Sequence, residues 1–328
     1  YLQHRKVDVV SSALDFILPF EKYKITAGAK VSFTNTRNGI NYDTSDPTLV
    51  QDDYFRYKEQ IYALYADYSR EFSERFSMQL GLRMEHTRTT GISEAKDTED
   101  KHDYTRLFPT VYLLYSPTDG HALNFSFSNR ISRPSQNMVN PFPFYQNKYT
   151  YACGREDLKP SYTYNAELGY TLKNNFNVSA YYSYSDDVFF QVVDLDAETN
   201  VTSFLWENFM KTHAFGLNNS YTFRTKWLQA YAQHGVSYRR TTSSAVTTSP
   251  EEKGWAYDAS LRNTFFFNEK KTLLATLSGS YSSRQYQGIY LMSPTYSVSA
   301  GMLYRLLDNK LNLSLNVNNL FVSHSKLE

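Results

Sequence analysis

A single cysteine, Cys153, excludes an internal disulfide, and no Cys/His spacing suggests a structural zinc site. An excess of one charge is also missing. The 34 Lys and Arg stand against 33 Asp and Glu, a net charge of +1, which gives no argument for a nucleic-acid or acidic partner. No run of about 18 apolar residues occurs, so a transmembrane helix is excluded; the mean hydropathy is −0.54. The opening Tyr1-Leu2-Gln3-His4-Arg5-Lys6 has neither an initiator Met nor a signal-peptide pattern and reads as a processed or truncated chain. What the chain has in quantity is aromatic: 29 Tyr and 22 Phe, with Trp 16% of its 328 residues, beside many Ser, Asn and Thr. That composition favours strands and opposes disorder.

Period-two alternation dominates. Phe76, Met78, Leu80, Leu82 and Met84 share one strand face, with Ser77, Gln79, Gly81, Arg83 and Glu85 on the other. The same split recurs at Leu123, Phe125 and Phe127 against Asn124, Ser126 and Ser128, and at Leu311, Leu313 and Leu315 against Asn312, Ser314 and Asn316. Short turn signals fall near residues 19–21, 70–74, 117–120, 173–175, 225–226, 268–270 and 307–309. Longer polar stretches alternate with them at 36–53, 91–103, 133–159, 194–200, 241–254 and 286–293. Short connections on one side and long ones on the other imply about fourteen antiparallel strands of a transmembrane up-and-down β-barrel.

Strand length and aromatic placement support a membrane wall over a large soluble sandwich. Residues 54–69, 176–193 and 271–284 read as long strands, and a membrane crossing needs about 9 to 11 residues tilted near 45°. Tyr62 and Tyr68, or Tyr164 and Tyr170, fall on the apolar face as girdle residues at two interfaces would. The opposite face, rich in Gly, Ser, Asn, Arg and Glu, suits a wet lumen.

Several words resemble a known family: Gly81-Leu82-Arg83-Met84-Glu85-His86-Thr87, Ser132-Arg133-Pro134-Ser135 and Val139-Asn140-Pro141-Phe142. Gly154-Arg155-Glu156-Asp157-Leu158-Lys159-Pro160, Glu167-Leu168-Gly169-Tyr170 and Asn318-Asn319-Leu320-Phe321 complete the set. Together they resemble the outer-membrane β-barrel domain of TonB-dependent receptors of Bacteroidetes type, over most of the chain from about residue 55 onward. Arg155-Glu156 departs from the family's usual Asn-Pro. The resemblance implies a closed barrel of about 22 strands around an N-terminal plug. Residues 1–328 are then a single barrel domain, incomplete at its N-terminal side and without the plug, that also lacks the closing C-terminal strand. An open edge in lipid leaves backbone groups unpaired at several kcal/mol each, so this piece is expected to need further strands.

Two groups of candidate site residues follow. Prolines stiffen the stretch 133–159, and Phe142, Phe144, Tyr145, Tyr149 and Tyr151 are candidates for stacking on a ligand, or for packing the stretch on the barrel rim. Asp67, Arg83, Glu85, Arg130, Glu167, Arg224 and Arg305 fall on lumen positions, where they would hold a plug, tune a permeant, or simply be solvated. The acidic pairs Asp52-Asp53 and Asp186-Asp187 lack EF-hand spacing, and no metal or cofactor is expected. His86 and His102 near Asp97, Asp100 and Asp103 have a hydrolase's composition but no motif, and catalysis is not expected.

The expected role is a TonB-dependent-like receptor or transporter in the bacterial outer membrane for an unidentified ligand. The alternatives are a passive porin-like or structural barrel and, last, a barrel hydrolase. The implied partners are outer-membrane lipid, a plug outside this chain, a TonB-type energy coupler acting through it, and a surface lipoprotein.

Overall fold

In the computed structural model, which describes residues 2–41, 53–94, 97–245 and 248–323, the alternating segments become one antiparallel wall. Its first six strands are β1 (Leu2–Pro19), β2 (Tyr23–Asn41), β3 (Asp53–Ser73), β4 (Phe76–Ser93), β5 (Thr98–Tyr115) and β6 (His121–Ser132). A helical turn, α1 (Gln136–Val139), and two short strands, β7 (Phe144–Asn147) and β8 (Thr150–Cys153), interrupt the pattern. The wall resumes with β9 (Ser161–Leu172), β10 (Phe176–Asp196), β11 (Val201–Arg224), β12 (Leu228–Ser243), β13 (Glu251–Phe266) and β14 (Leu273–Ser282). A small hairpin, β15 (Gln285–Gln287) and β16 (Tyr290–Met292), precedes β17 (Thr295–Leu306) and β18 (Leu311–Val322).

Leaving out the four short strands, fourteen strands follow one another in chain order, each paired with its sequence neighbour. The expected count of strands and the up-and-down order are both present. The wall is not closed, because β1 and β18 do not pair, and residues 4–19 and 311–322 are exposed.

Register makes the two faces explicit. On the outer face, Leu14, Ala29, Leu64, Met84 and Leu107 line up across β1–β5. The leucines among them are 59%, 57% and 54% exposed at Leu14, Leu64 and Leu107, the state of a lipid-facing rather than a core residue. Aromatic contacts form two bands. Phe33 meets Tyr62 edge-on at 5.9 Å and Tyr164 stacks on Tyr184 at 6.1 Å, while Tyr68 contacts Tyr23 at 5.8 Å and Tyr170 contacts His121 at 6.0 Å. Both expected girdle pairs are thus divided between an upper and a lower band.

One stretch read as a long loop is largely strand: residues 91–93 and 98–103 continue β4 and β5. The stretch 194–200 is shorter than it read, since 194–196 belong to β10 and only 197–200 form the turn before β11. Above the lipid both faces of a strand are wet, so apolar alternation disappears although the ladder goes on. Within the stretch 133–159, α1, β7 and β8 replace irregular loop.

Candidate functional site

The segment from Arg133 to Lys159 folds over the inner face of the wall rather than standing above it. Val139, Phe142 and Leu158 bury themselves against Phe55 of β3, with Tyr57, Phe189 and Trp206 packed around them. Phe55 is fully buried and meets the Phe142 ring edge-on at 6.2 Å. The segment therefore touches wall strands far apart in the sheet, β3 on one side and β10–β11 on the other. β8 extends this by pairing in parallel with β11, Thr150–Cys153 against Thr202–Leu205.

Backbone contacts close the segment on itself. Gly154 N–H donates to Asn140 O at 2.9 Å and Arg155 N–H to Met138 O at 2.8 Å. A Cβ on residue 154 would sit on the carbonyl oxygens of Met138 and Asn140, so only glycine allows this approach. At the far end the Asn208 amide accepts from Lys159 N–H and donates to Lys159 O and Asp187 O, tying the segment to the bulge in β10. Arg155 holds Asp157 through two contacts of 2.8 and 2.7 Å and reaches Glu207 at 2.7 Å. These bonds keep the Asp157 carboxyl below the usual carboxylate range.

The base of the segment is anchored by charge. Arg133 Nη2 donates to Glu85 Oε2 at 2.5 Å and to Thr87 Oγ1 at 3.2 Å, and its Nε lies 3.7 Å from Glu59 Oε1. Arg83 donates to the other oxygen of Glu85 at 2.6 Å. Two arginines and two glutamates balance, which is what allows Glu85 to sit only 8% exposed.

Of the lumen charges read from sequence, Asp67, Arg83, Glu85 and Arg130 line one recess of about 490 Å³ with Tyr65, Phe108 and Thr110. Glu167 lies apart in a polar recess of about 240 Å³ with Asn124, Asn177 and Asn218. Arg224 and Arg305 stand at the short-turn ends of β11 and β17, away from both. The aromatic candidates also divide. Phe142 is buried and Phe144 is 37% exposed, and both line a cavity of about 370 Å³ with Asn38, Asn137, Asn140, Cys153 and Trp206. Tyr145 and Tyr151 pack on each other at 5.5 Å, and Tyr149 is exposed beside Lys148.

Glu59, Arg133 and Trp206 were not legible as site residues. Arg133 falls in a family word, but no spacing connects it with carboxylates 48 and 74 positions away. His86 and His102 do not converge: His86 is on the outer face against Tyr62 and Asp103, and His102 is on the inner face beside Asp100. Asp186 pairs with Lys211 at 3.2 Å, and the pair Asp52-Asp53 lies outside the residues whose side chains are described. Among the described residues no cluster of metal-ligating side chains occurs.

A family model described as "Outer membrane protein beta-barrel family" matches residues 2–327. The chain belongs to that family. Barrels of this family place it in the bacterial outer membrane, and solved structures agree on the fold. The copper transporter OprC superposes with a TM-score of 0.72 at 13% identity, over 97% of this chain and 52% of that one. The FrpB iron transporter from Neisseria meningitidis gives 0.65 at 16%, over 97% and 52%. The ferric yersiniabactin uptake receptor FyuA from Yersinia pestis gives 0.63 at 15%, over 97% and 49%. This barrel wall spans about half the length of the receptors and transporters it matches, which are the class its sequence words resemble. No curated protein sequence matches it.

Proposed function

We propose that this chain is the larger part of the wall of a TonB-dependent outer-membrane receptor that takes a ligand from outside and passes it inward when a plug is displaced. The observation that carries the reading is the inserted segment. An ordered piece docked on the inner face, joined through Arg133 to Glu85 in a recess that Asp67, Arg83 and Arg130 also line, gives the lumen a shaped interior with fixed charges. Such an interior suits selective binding and plug contact more than a passive pore. In this reading the remaining strands, the plug and the contact with a periplasmic energy coupler belong to sequence outside residues 1–328, and a surface lipoprotein is a further partner. The cavity lined by Phe142, Phe144 and Trp206 is the ligand-contacting part of the wall, and catalysis has no role.

The test is the intact mass of the native protein from purified outer membranes with its N-terminal peptides mapped, followed by uptake assays with and without a proton gradient. A mass far above that of this chain, an upstream globular domain and gradient-dependent uptake are the expected results. A mass near 38 kDa with ungated conductance would make the protein a passive barrel.

A further inference from the structure

The lipid face of β11–β13 differs from the wall on either side of it. Between the two aromatic bands the outer positions are Leu64 and Ala66 on β3, Ala166 and Leu168 on β9, and Val178 and Ala180 on β10, all apolar. On β11–β13 the upper band runs through Phe215, Tyr238 and Trp255, whose rings meet at 5.3, 5.7 and 5.2 Å. Below it the same face carries Asn219 on β11, His234 on β12 and Asn263 on β13, with Asn219 directly opposite His234 in the ladder. All three stand above Phe223 of β11 and Phe265 of β13, at the level of the acyl chains.

These groups are poorly matched within the chain. Asn219 Nδ2 donates to Asn177 O at 3.1 Å, which leaves its own side-chain oxygen without a donor. The side chains of His234 and Asn263 have no hydrogen-bond partner among the described residues, and His234 lies tilted against the Tyr257 ring at 6.4 Å. Acyl chains offer neither donors nor acceptors, so polar side chains held among them call for a partner that brings both.

The same face is also hollowed. A depression of about 560 Å³ is lined by the small residues Ala259 and Gly279, by the larger Leu277 and Tyr281, and by His234 and Asn263. A Cβ on residue 279 would meet nothing nearer than Ser297 O at 3.7 Å, so no contact inside the chain requires glycine there. Across β12 from this hollow, Leu217 of β11 protrudes with 58% of its surface exposed. It stands two positions below Phe215, and Ala259 four below Trp255, so protrusion and hollow share a similar depth.

Protrusion, hollow and polar groups form one self-complementary pattern. Two copies in one membrane share an orientation, so a twofold axis between them runs along the membrane normal. With that axis over β12, β11 of each copy faces β13 and β14 of the other. Leu217 then enters the hollow, Asn219 approaches Asn263 of the second copy, and the two His234 rings lie beside the axis. Carboxamide and imidazole groups each supply a donor and an acceptor, and small residues let two walls approach closely. β13, β14, β17 and β18 separate β12 from the nearer open edge, so strands that complete the wall leave this surface uncovered. We propose that the outer face of β11–β14 is the contact between two copies of this protein in the outer membrane.

The test uses the full-length protein in lipid vesicles, with association read by energy transfer between labelled copies as the protein-to-lipid ratio is lowered. The expected result is association that saturates at two copies and is weakened about fiftyfold in Asn219→Leu/His234→Leu/Asn263→Leu. Apolar residues suit a lipid-facing wall, so this variant should fold as the parent does. Gly279→Trp, which fills the hollow, should weaken association about tenfold, whereas Ala166→Trp on the outer face of β9 should leave it unchanged. If the triple variant does not assemble, Gly279→Trp and Ala166→Trp decide between them. Copies that stay apart at every ratio overturn the proposal, as does association of equal strength in the variants that assemble. A lipid held by the parent protein and lost from the triple variant in native mass spectra, without association of copies, would assign the surface to lipid and overturn it too.

Discussion

The wall and the segment inserted in it are held by different physics. Each wall strand satisfies its backbone with its neighbours and presents one apolar face to lipid, so its stability is spread over many equivalent rows. The inserted segment 133–159 has only short ladders of its own and depends on particular contacts: Arg133 between two carboxylates, Gly154 against two carbonyls, and Phe142 on Phe55. A wall tolerates many changes on its wet face and few on its lipid face. The segment is sensitive at single points.

The largest expected effect tests the wall. Leu82→Arg places a charge on the lipid face midway between the aromatic bands and should cost about 2 to 4 kcal/mol in folding equilibria followed by heat-modified gel mobility. Gln79→Arg, on the inner face of the same strand, should be near neutral; equal costs at both positions would undo the assignment of faces. Next comes Arg133→Ala, which leaves Glu59 without its cation and Glu85 with Arg83 alone. A loss of about 2 kcal/mol in the docking of the segment is expected, below the range for fully dry ion pairs because water reaches the lumen. Limited proteolysis should then cut within 133–159 while the wall stays intact, and a wall that fails as a whole would mean that the two regions are one cooperative unit.

Gly154→Ala should act on the segment alone, by about 1 to 3 kcal/mol, since the added methyl must displace the backbone at Met138 and Asn140. Hydrogen exchange at residues 136–140 reads it, and unchanged protection there would show that the close approach is not required. The smallest effect is one of pH. Because Arg155 depresses the Asp157 titration, the contribution of this pair is complete above the ordinary carboxylate range and fades as pH falls below about 4. Asp157 is largely exposed, so the change should be confined to faster exchange, corrected for intrinsic rate, in residues 154–159; Asp157→Asn should remove it.

The same contrast explains what could be read from sequence. Strand number, order, the two faces and the aromatic bands follow from local period-two patterning, as Phe76 to Glu85 illustrates. The strand extensions at 91–93 and 98–103 were hidden because no lipid selects an apolar face there. The docking of the segment was hidden for another reason. The pairing of Arg133 with Glu59 and of β8 with β11 depends on chain positions dozens of residues apart, which no local pattern encodes. The lumen charges were readable as positions on a face, but which of them would meet was not: Asp67, Arg83, Glu85 and Arg130 share a recess, and Glu167, Arg224 and Arg305 do not.

The parallel pairing of β8 with β11 also dictates an order of events. β8 cannot find its partner until β9 and β10 have been laid down and β11 has arrived, so the partner edge is the last thing the segment acquires. During assembly the wall from β3 to β6 therefore exists with the segment held at most by its contacts to β3 and β4, and its β8 edge is secured late. Pulse proteolysis during refolding should find residues 133–159 cleavable after β3–β6 have become resistant. In that interval the unpaired upper edge of β8 is open to whatever other strand is present to pair with it.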